Sequence, residues 1–238
     1  MKSTKAMFAV LAVFAAMLFT SSCLEKEEIV TLTEQEAVYL VEAAVQDESA
    51  GTTYMMEASS EELVASSSLN DVCDSLFQKA WQYNHNGTRA QANYAAGFSY
   101  QFSCNAAKIP TSAHIDYAQS GTFAGLRLSG ADSASCSIDI AGLQPSATLL
   151  VFDGSYGRSG THDFSANNKR NINSTISLTL TQVEMDKSSY EITSGSGTFS
   201  LTGSTQNGSF SYKGTIVFNG NKQATITING NTYQIDLN

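Results

Sequence analysis

Histidine and its neighbours carry most of the acid–base chemistry this chain has to offer. Of three histidines, His114 stands two residues from Asp116 and His162 directly precedes Asp163. A carboxylate beside an imidazole is what a general base or a metal site requires. On a strand, a spacing of two puts His114 and Asp116 on one face. Zinc, however, takes three or four protein ligands, and the third histidine, His85, falls at an expected turn. No nucleophile elbow, P-loop or HExxH motif occurs. Asp153-Gly154-Ser155 opens like a calcium loop but lacks its regular acids and closing Glu. The expectation is surface histidines, with no metal, no cofactor and no enzymatic activity.

A second set is basic. Residues 157–171 form the longest stretch without alternating polarity and carry Arg158, His162, Asp163, Lys169 and Arg170. A loop of about 15 residues in a compact domain is either functional or simply disordered, and a soluble hairpin tip is the alternative reading. Arg158, His162, Lys169 and Arg170 are therefore the candidate contacts for an acidic partner, such as an anionic glycan.

Cysteine is the third set: Cys23, Cys73, Cys104 and Cys136. Lys2 and Lys5 precede an apolar run over residues 6–19, and Thr20-Ser21-Ser22 are small residues ahead of Cys23. That is a basic start, a core of signal-peptide length and a cleavage zone. The apolar run is shorter than the roughly 20 residues a spanning helix needs. A cysteine directly after the small residues reads as a lipobox, so Cys23 is the expected lipidation site and residues 1–22 the lipoprotein signal peptide. Thr20 stands where the commonest lipobox has Leu; this looser form resembles the lipoproteins of Bacteroidetes. Lys26-Glu27-Glu28, just behind Cys23, resembles their surface-export signal. The resemblance implies an outer-membrane lipoprotein exposed on the cell surface, with a periplasm-facing orientation as the alternative.

The charge is lopsided. Residues 24–75 hold thirteen acids and one base, whereas residues 76–238 hold nine acids and ten bases. The acidity thus belongs to the first part of the mature chain, and the absence of a basic stripe argues against nucleic acid as a partner. Residues 23–75 read as an acidic tether. Within it, Thr33-Glu34-Gln35-Glu36 is a capping box, and Val38, Leu40, Val41, Ala44 and Val45 follow at helical spacing. A second helical stretch is expected near residues 60–66.

From Leu76 the hydrophobic period changes from 3.6 to 2. Phe77, Lys79, Trp81 and Tyr83 alternate along one strand, Asn86-Gly87 marks a hairpin, and Phe98, Tyr100, Phe102 and Cys104 share a face of the returning strand. Further strands are expected at 122–128, 135–141 and 147–156. Clear alternation follows around Ile176–Leu180, Phe199–Leu201, Phe210–Phe218, Ala224–Ile228 and Tyr233–Leu237, punctuated by Asn207-Gly208, Asn219-Gly220 and Asn229-Gly230. Residues 76–238 are thus an all-β domain: an antiparallel meander of about ten strands, as a barrel-like curled sheet or a two-layer sandwich, the curled sheet being favoured. Cys73 precedes the strand that pairs with the Cys104 strand, so Cys73–Cys104 is the expected disulfide and Cys136 the free thiol; Cys104–Cys136 is the rival pairing.

The mature chain as a whole resembles a group of Bacteroidetes outer-membrane and surface lipoproteins. They share the Glu-Gln-Glu-Ala-Val helix of residues 34–38, a mid-chain cysteine after an aromatic strand, and the Asn-Gly-Asn-Thr-Tyr-Gln-Ile-Asp-Leu ending of residues 229–237. The resemblance implies a fold and an address and no activity. Together these observations point to a lipid-anchored, non-catalytic binding module whose partner is an envelope protein or a glycan. The alternatives are a small-ligand carrier with a lipocalin-like barrel and, less favoured, a hydrolase built on His114 or His162.

Overall fold

The computed structural model describes residues 31–69, 71–165 and 171–238. The expected signal peptide, Cys23 and the acids that follow it lie outside the described residues, as do Lys169 and Arg170. Helix α1 (Glu34–Val45) begins as its capping box requires: the Thr33 amide donates to Glu36 at 2.8 Å and the Glu36 amide to Thr33 Oγ1 at 3.2 Å. Helix α2 (Thr52–Ser66) is two turns longer than the expected stretch. Its buried face includes Thr52, Thr53, Ser59, Ser60 and Ser66 beside Met55, Met56 and Leu63, so its apolar periodicity is faint in the sequence.

Ten strands follow: β1 (Leu76–Asn86), β2 (Ala90–Cys104), β3 (Pro110–Gly125), β4 (Leu128–Ala141), β5 (Leu149–Phe164), β6 (Ile172–Asp186), β7 (Ile192–Thr205), β8 (Gly208–Gly220), β9 (Gln223–Ile228) and β10 (Asn231–Asp236). Each pairs antiparallel with the next, in one open sheet of sequential order. The expected meander is therefore present. Asn229 (φ 51°) and Gly230 (φ 86°) both take the positive φ that a type I′ hairpin turn demands.

The helices explain the curl. At about 4.8 Å between neighbours, ten strands laid flat would span about 43 Å, far more than two helices can touch. Yet side chains of β1, β2, β3, β5, β6, β8 and β10 all bond to the helical segment. Trp81 Nε1 donates to Tyr54 Oη at 2.5 Å, Tyr100 Oη lies 3.0 Å from Ser66 Oγ, and Ser60 Oγ lies 3.2 Å from Met185 Sδ. Tyr212 Oη donates to the Leu32 carbonyl and Tyr233 Oη to Glu34, both at 2.5 Å. The sheet wraps its concave face around α1 and α2.

Three expectations are corrected here. Residues 32–72 are not a tether: Leu32, Val41, Met56, Leu63 and Val72 are all buried in one core with the inward rows of the sheet. A concave apolar face must be covered by a second layer, and this segment supplies it. Nor are residues 157–171 a long loop. Strand β5 continues to Phe164 and β6 begins at Ile172, leaving only 165–171 as the connection. Likewise the expected strand 122–128 is interrupted, because Leu126-Arg127 form the β3–β4 turn. The Cys73–Cys104 disulfide is present, and Cys136 is free and buried.

Candidate functional site

Period-two geometry places Arg158, Gly160 and His162 of β5 on the inward face, and the β4 residue opposite Gly160 is Asp132. A Cβ at Gly160 would stand 2.4 Å from Asp132 Cβ, so glycine is required for the carboxylate to lie between its two neighbours. Asp132 Oδ2 accepts from Arg158 Nη2 at 2.8 Å and sits 3.5 Å from His162 Nε2. Tyr94 Oη donates to Asp132 Oδ1 at 3.1 Å, and Ser174 Oγ lies 3.1 Å from His162 Nδ1. All are buried. Burial opposes ionisation of Asp132, but Arg158 and His162 outweigh it and hold the carboxyl below its ordinary value.

Arg158 also reaches the helical segment. Nη1 donates to the Ala43 carbonyl at 2.5 Å, in the last turn of α1, and Nη2 to the Ser49 carbonyl at 3.0 Å. A cation at a helix C-terminus meets the negative end of the macrodipole and carbonyls the helix leaves unpaired. Gln119 Nε2 donates to the Ala50 carbonyl at 2.6 Å, and Tyr83 Oη to that of Asp47 at 2.9 Å. Three sheet residues thus fix the turn between the helices.

Directly above the cluster is a solvent-open cleft of about 100 Å³, between α1 and the β1–β2 and β3–β4 hairpins. Ala43, Ser49 and Phe123 belong both to its floor and to the cluster: the Arg158 guanidinium lies 5.1 Å from the Phe123 ring centre. Its walls carry Tyr39, Glu42 and Glu48 on one side and Arg89, Leu126 and Arg127 on the other. Arg127 lies 4.9 Å from the Tyr39 ring centre and 3.7 Å from Glu42, and Arg89 lies 3.7 Å from Asp236. Burial raises the Glu42 carboxyl above its ordinary value, in part offset by Arg127 and Arg89. The cleft therefore holds two guanidiniums and two carboxylates within reach of solvent.

The candidate loop residues fare differently. Arg158 and His162 are buried in the cluster, each 4% exposed, and are not available to a partner. Inward-facing polar residues and the glycines around them erase the alternation that marks a strand, which is why this stretch reads as a loop. His85 belongs to β1, 3.9 Å from Glu48. Only His114 is a surface histidine: on the convex face its Nδ1 lies 2.7 Å from Asp139 Oδ1, and its Nε2 lies 3.3 Å from Ser137 Oγ and 3.7 Å from Asp116. That connectivity is Ser–His–Asp. The set nevertheless lies flat on an exposed sheet, where β4 pairs with β3 and β5, so its amides are committed to ladders and no adjacent pair is free to hold an oxyanion. Among the described residues no group of three metal-ligating side chains converges. No family model, no curated protein and no solved structure matches this chain.

Proposed function

We propose that this protein is a lipid-anchored envelope protein of the outer membrane, exposed at the cell surface, whose folded domain is a non-catalytic binding module. The observation that carries the binding reading is the cleft. Its paired guanidiniums and carboxylates make few hydrogen bonds within the chain, and its floor is held by the Arg158–Asp132 cluster. Such preorganised polar groups around an aromatic floor are the usual furniture of a recognition site. A carrier would instead use the interior, with a void of about 300 Å³ or more, and α1 and α2 occupy that space. The anchor reading rests on Cys23 and the small residues before it, and one buried methylene contributes about 0.8 kcal/mol to retention in a bilayer.

The test uses cell fractionation of the wild type and Cys23→Ala, with mass spectrometry of the extracted protein. Acyl chains on Cys23 and release of the variant into the soluble fraction are expected. Unchanged membrane partition of Cys23→Ala overturns the anchor.

A further inference from the structure

Successive hairpins of a meander alternate between the two ends of its sheet. The β1–β2, β3–β4 and β7–β8 turns therefore share one rim, which also bears the cleft. The described chain starts at this rim: the Leu32 carbonyl accepts from Tyr212, and Thr31 Cγ2 lies 3.2 Å from where a Cβ of Gly208 would stand. Eight residues join Cys23 to Thr31, at most about 3.5 Å each. On the anchor reading proposed above, Thr31 and the β7–β8 turn beside it therefore cannot sit more than about 28 Å from the bilayer.

The same rim carries a residue that the fold does not explain. Leu126 stands at the tip of a two-residue turn, where Asn, Asp or Gly are favoured, and it is 70% exposed. Arg127 follows it, and Arg89 tops the neighbouring hairpin, with side chains 63% and 57% exposed. Their nearest carboxylates, at 3.7 Å, are beyond hydrogen-bonding distance, so both guanidiniums keep donors to offer. Glu42 and Glu48 face them across the cleft, with side chains only 17% and 20% exposed.

We infer that this rim docks on the bilayer, Leu126 entering the interfacial layer while the cleft takes one phosphoethanolamine headgroup, its phosphate against Arg89 and Arg127 and its ammonium toward Glu42 and Glu48. A guanidinium grips phosphate oxygens with parallel hydrogen bonds, and a half-buried carboxylate gains from an ammonium that donates N–H bonds. The pairing of both charges in one cleft selects a zwitterion carrying a primary amine over a purely anionic lipid.

The test is co-sedimentation of the Thr31–Asn238 unit, which contains the whole described core, with vesicles of phosphatidylcholine alone or mixed with phosphatidylethanolamine or phosphatidylglycerol. We expect at least fivefold more protein on the phosphatidylethanolamine vesicles than on either other type. Leu126→Ser and the pair Arg89→Ser with Arg127→Ser should each abolish that excess without moving the melting temperature. Equal binding to all vesicles, preference for phosphatidylglycerol, or variants that bind like the wild type overturn the inference. So does binding of soluble O-phosphoethanolamine without binding of vesicles, which would make the cleft a soluble-ligand site. Because this unit lacks Cys23, the anchor is judged separately: vesicle binding with an unacylated Cys23 fails the anchor alone, and an acylated Cys23 without vesicle binding fails the docking alone.

Discussion

Arg158 and Ala43 are 115 residues apart in sequence, and the Arg158 guanidinium donates to the Ala43 carbonyl at 2.5 Å. This bond, with those to Ser49 and Asp132, joins the helical segment to the middle of the sheet from inside the core. Removing the arginine alone leaves the Asp132 carboxylate buried without the guanidinium that offsets its burial, with only Tyr94 and His162 beside it, a loss of about 3–5 kcal/mol. Arg158→Met should lower the stability by that amount in urea titration. Arg158→Met with Asp132→Leu should recover part of the loss and not all, since the Ser49 carbonyl loses the guanidinium and the Ala43 carbonyl keeps only the Ser49 hydroxyl as donor. A single variant as stable as the wild type would refute the cluster's role.

The features legible in the sequence were those written in local chemistry. The capping box at Thr33, the Asn-Gly turns and the alternation around Leu178, Leu201 and Ile226 each depend on residues close in the chain, and each appears in the structure. The cysteine pairing followed from adjacent strands. What stayed hidden depends on partners far away. Arg158 and His162 look like loop residues until Asp132 is placed between them. The buried hydroxyls of α2 look like a solvated stalk until the sheet closes over them. Leu126-Arg127 carries no turn signal, so the cleft it helps to wall had no mark in the sequence.

Glu57 sets the sign of one pH effect. Burial, then Asp47, raise its carboxyl from 4.5 to about 7, with Glu61 and Glu191 adding to the shift. The folded state therefore holds a proton that the unfolded state has released between about pH 4.5 and 7. Stability falls as pH rises through that window, because the unfolded state binds fewer protons there. Glu57→Gln should flatten the decline, so that its melting temperature exceeds that of the wild type more at pH 7.5 than at pH 4.5. An equal difference at both pH values would exclude Glu57 as the source. The carboxyl is partly solvated, so the effect should be modest.

The disulfide closes a loop of sequence separation 31, for which the chain-entropy model gives about 3–4 kcal/mol. Cys73→Ser with Cys104→Ser should lower the denaturation midpoint accordingly. Non-reducing peptide mapping should link Cys73 to Cys104. Burial pushes the Cys136 thiol up to about 12, so it should resist iodoacetamide at pH 8 in the native protein and react after denaturation. A linked peptide containing Cys136 would contradict this assignment.

A filled interior makes the last prediction. Leu63 of α2 is fully buried, as are Met55 and Met56 about two turns earlier in the helix, in the hollow where a carrier would hold its cargo. Cores packed at crystal-like density leave no room for an apolar guest. Benzene or a fluorescent fatty acid should therefore leave the wild-type melting temperature unchanged. Leu63→Ala removes three carbons from that packing and should cost about 2–5 kcal/mol, depending on how far the helices can collapse. The cavity opens within the buried core, where the neighbouring Ser59 and Ser60 hydroxyls are already bonded to the Met56 carbonyl and Met185 sulfur, and a cavity without free polar groups stays dry and binds small hydrocarbons. Benzene should then restore part of the lost melting temperature in Leu63→Ala alone. Stabilisation of the wild type by either compound would instead mean that the helices give way to a guest, and the carrier reading would take precedence over the cleft.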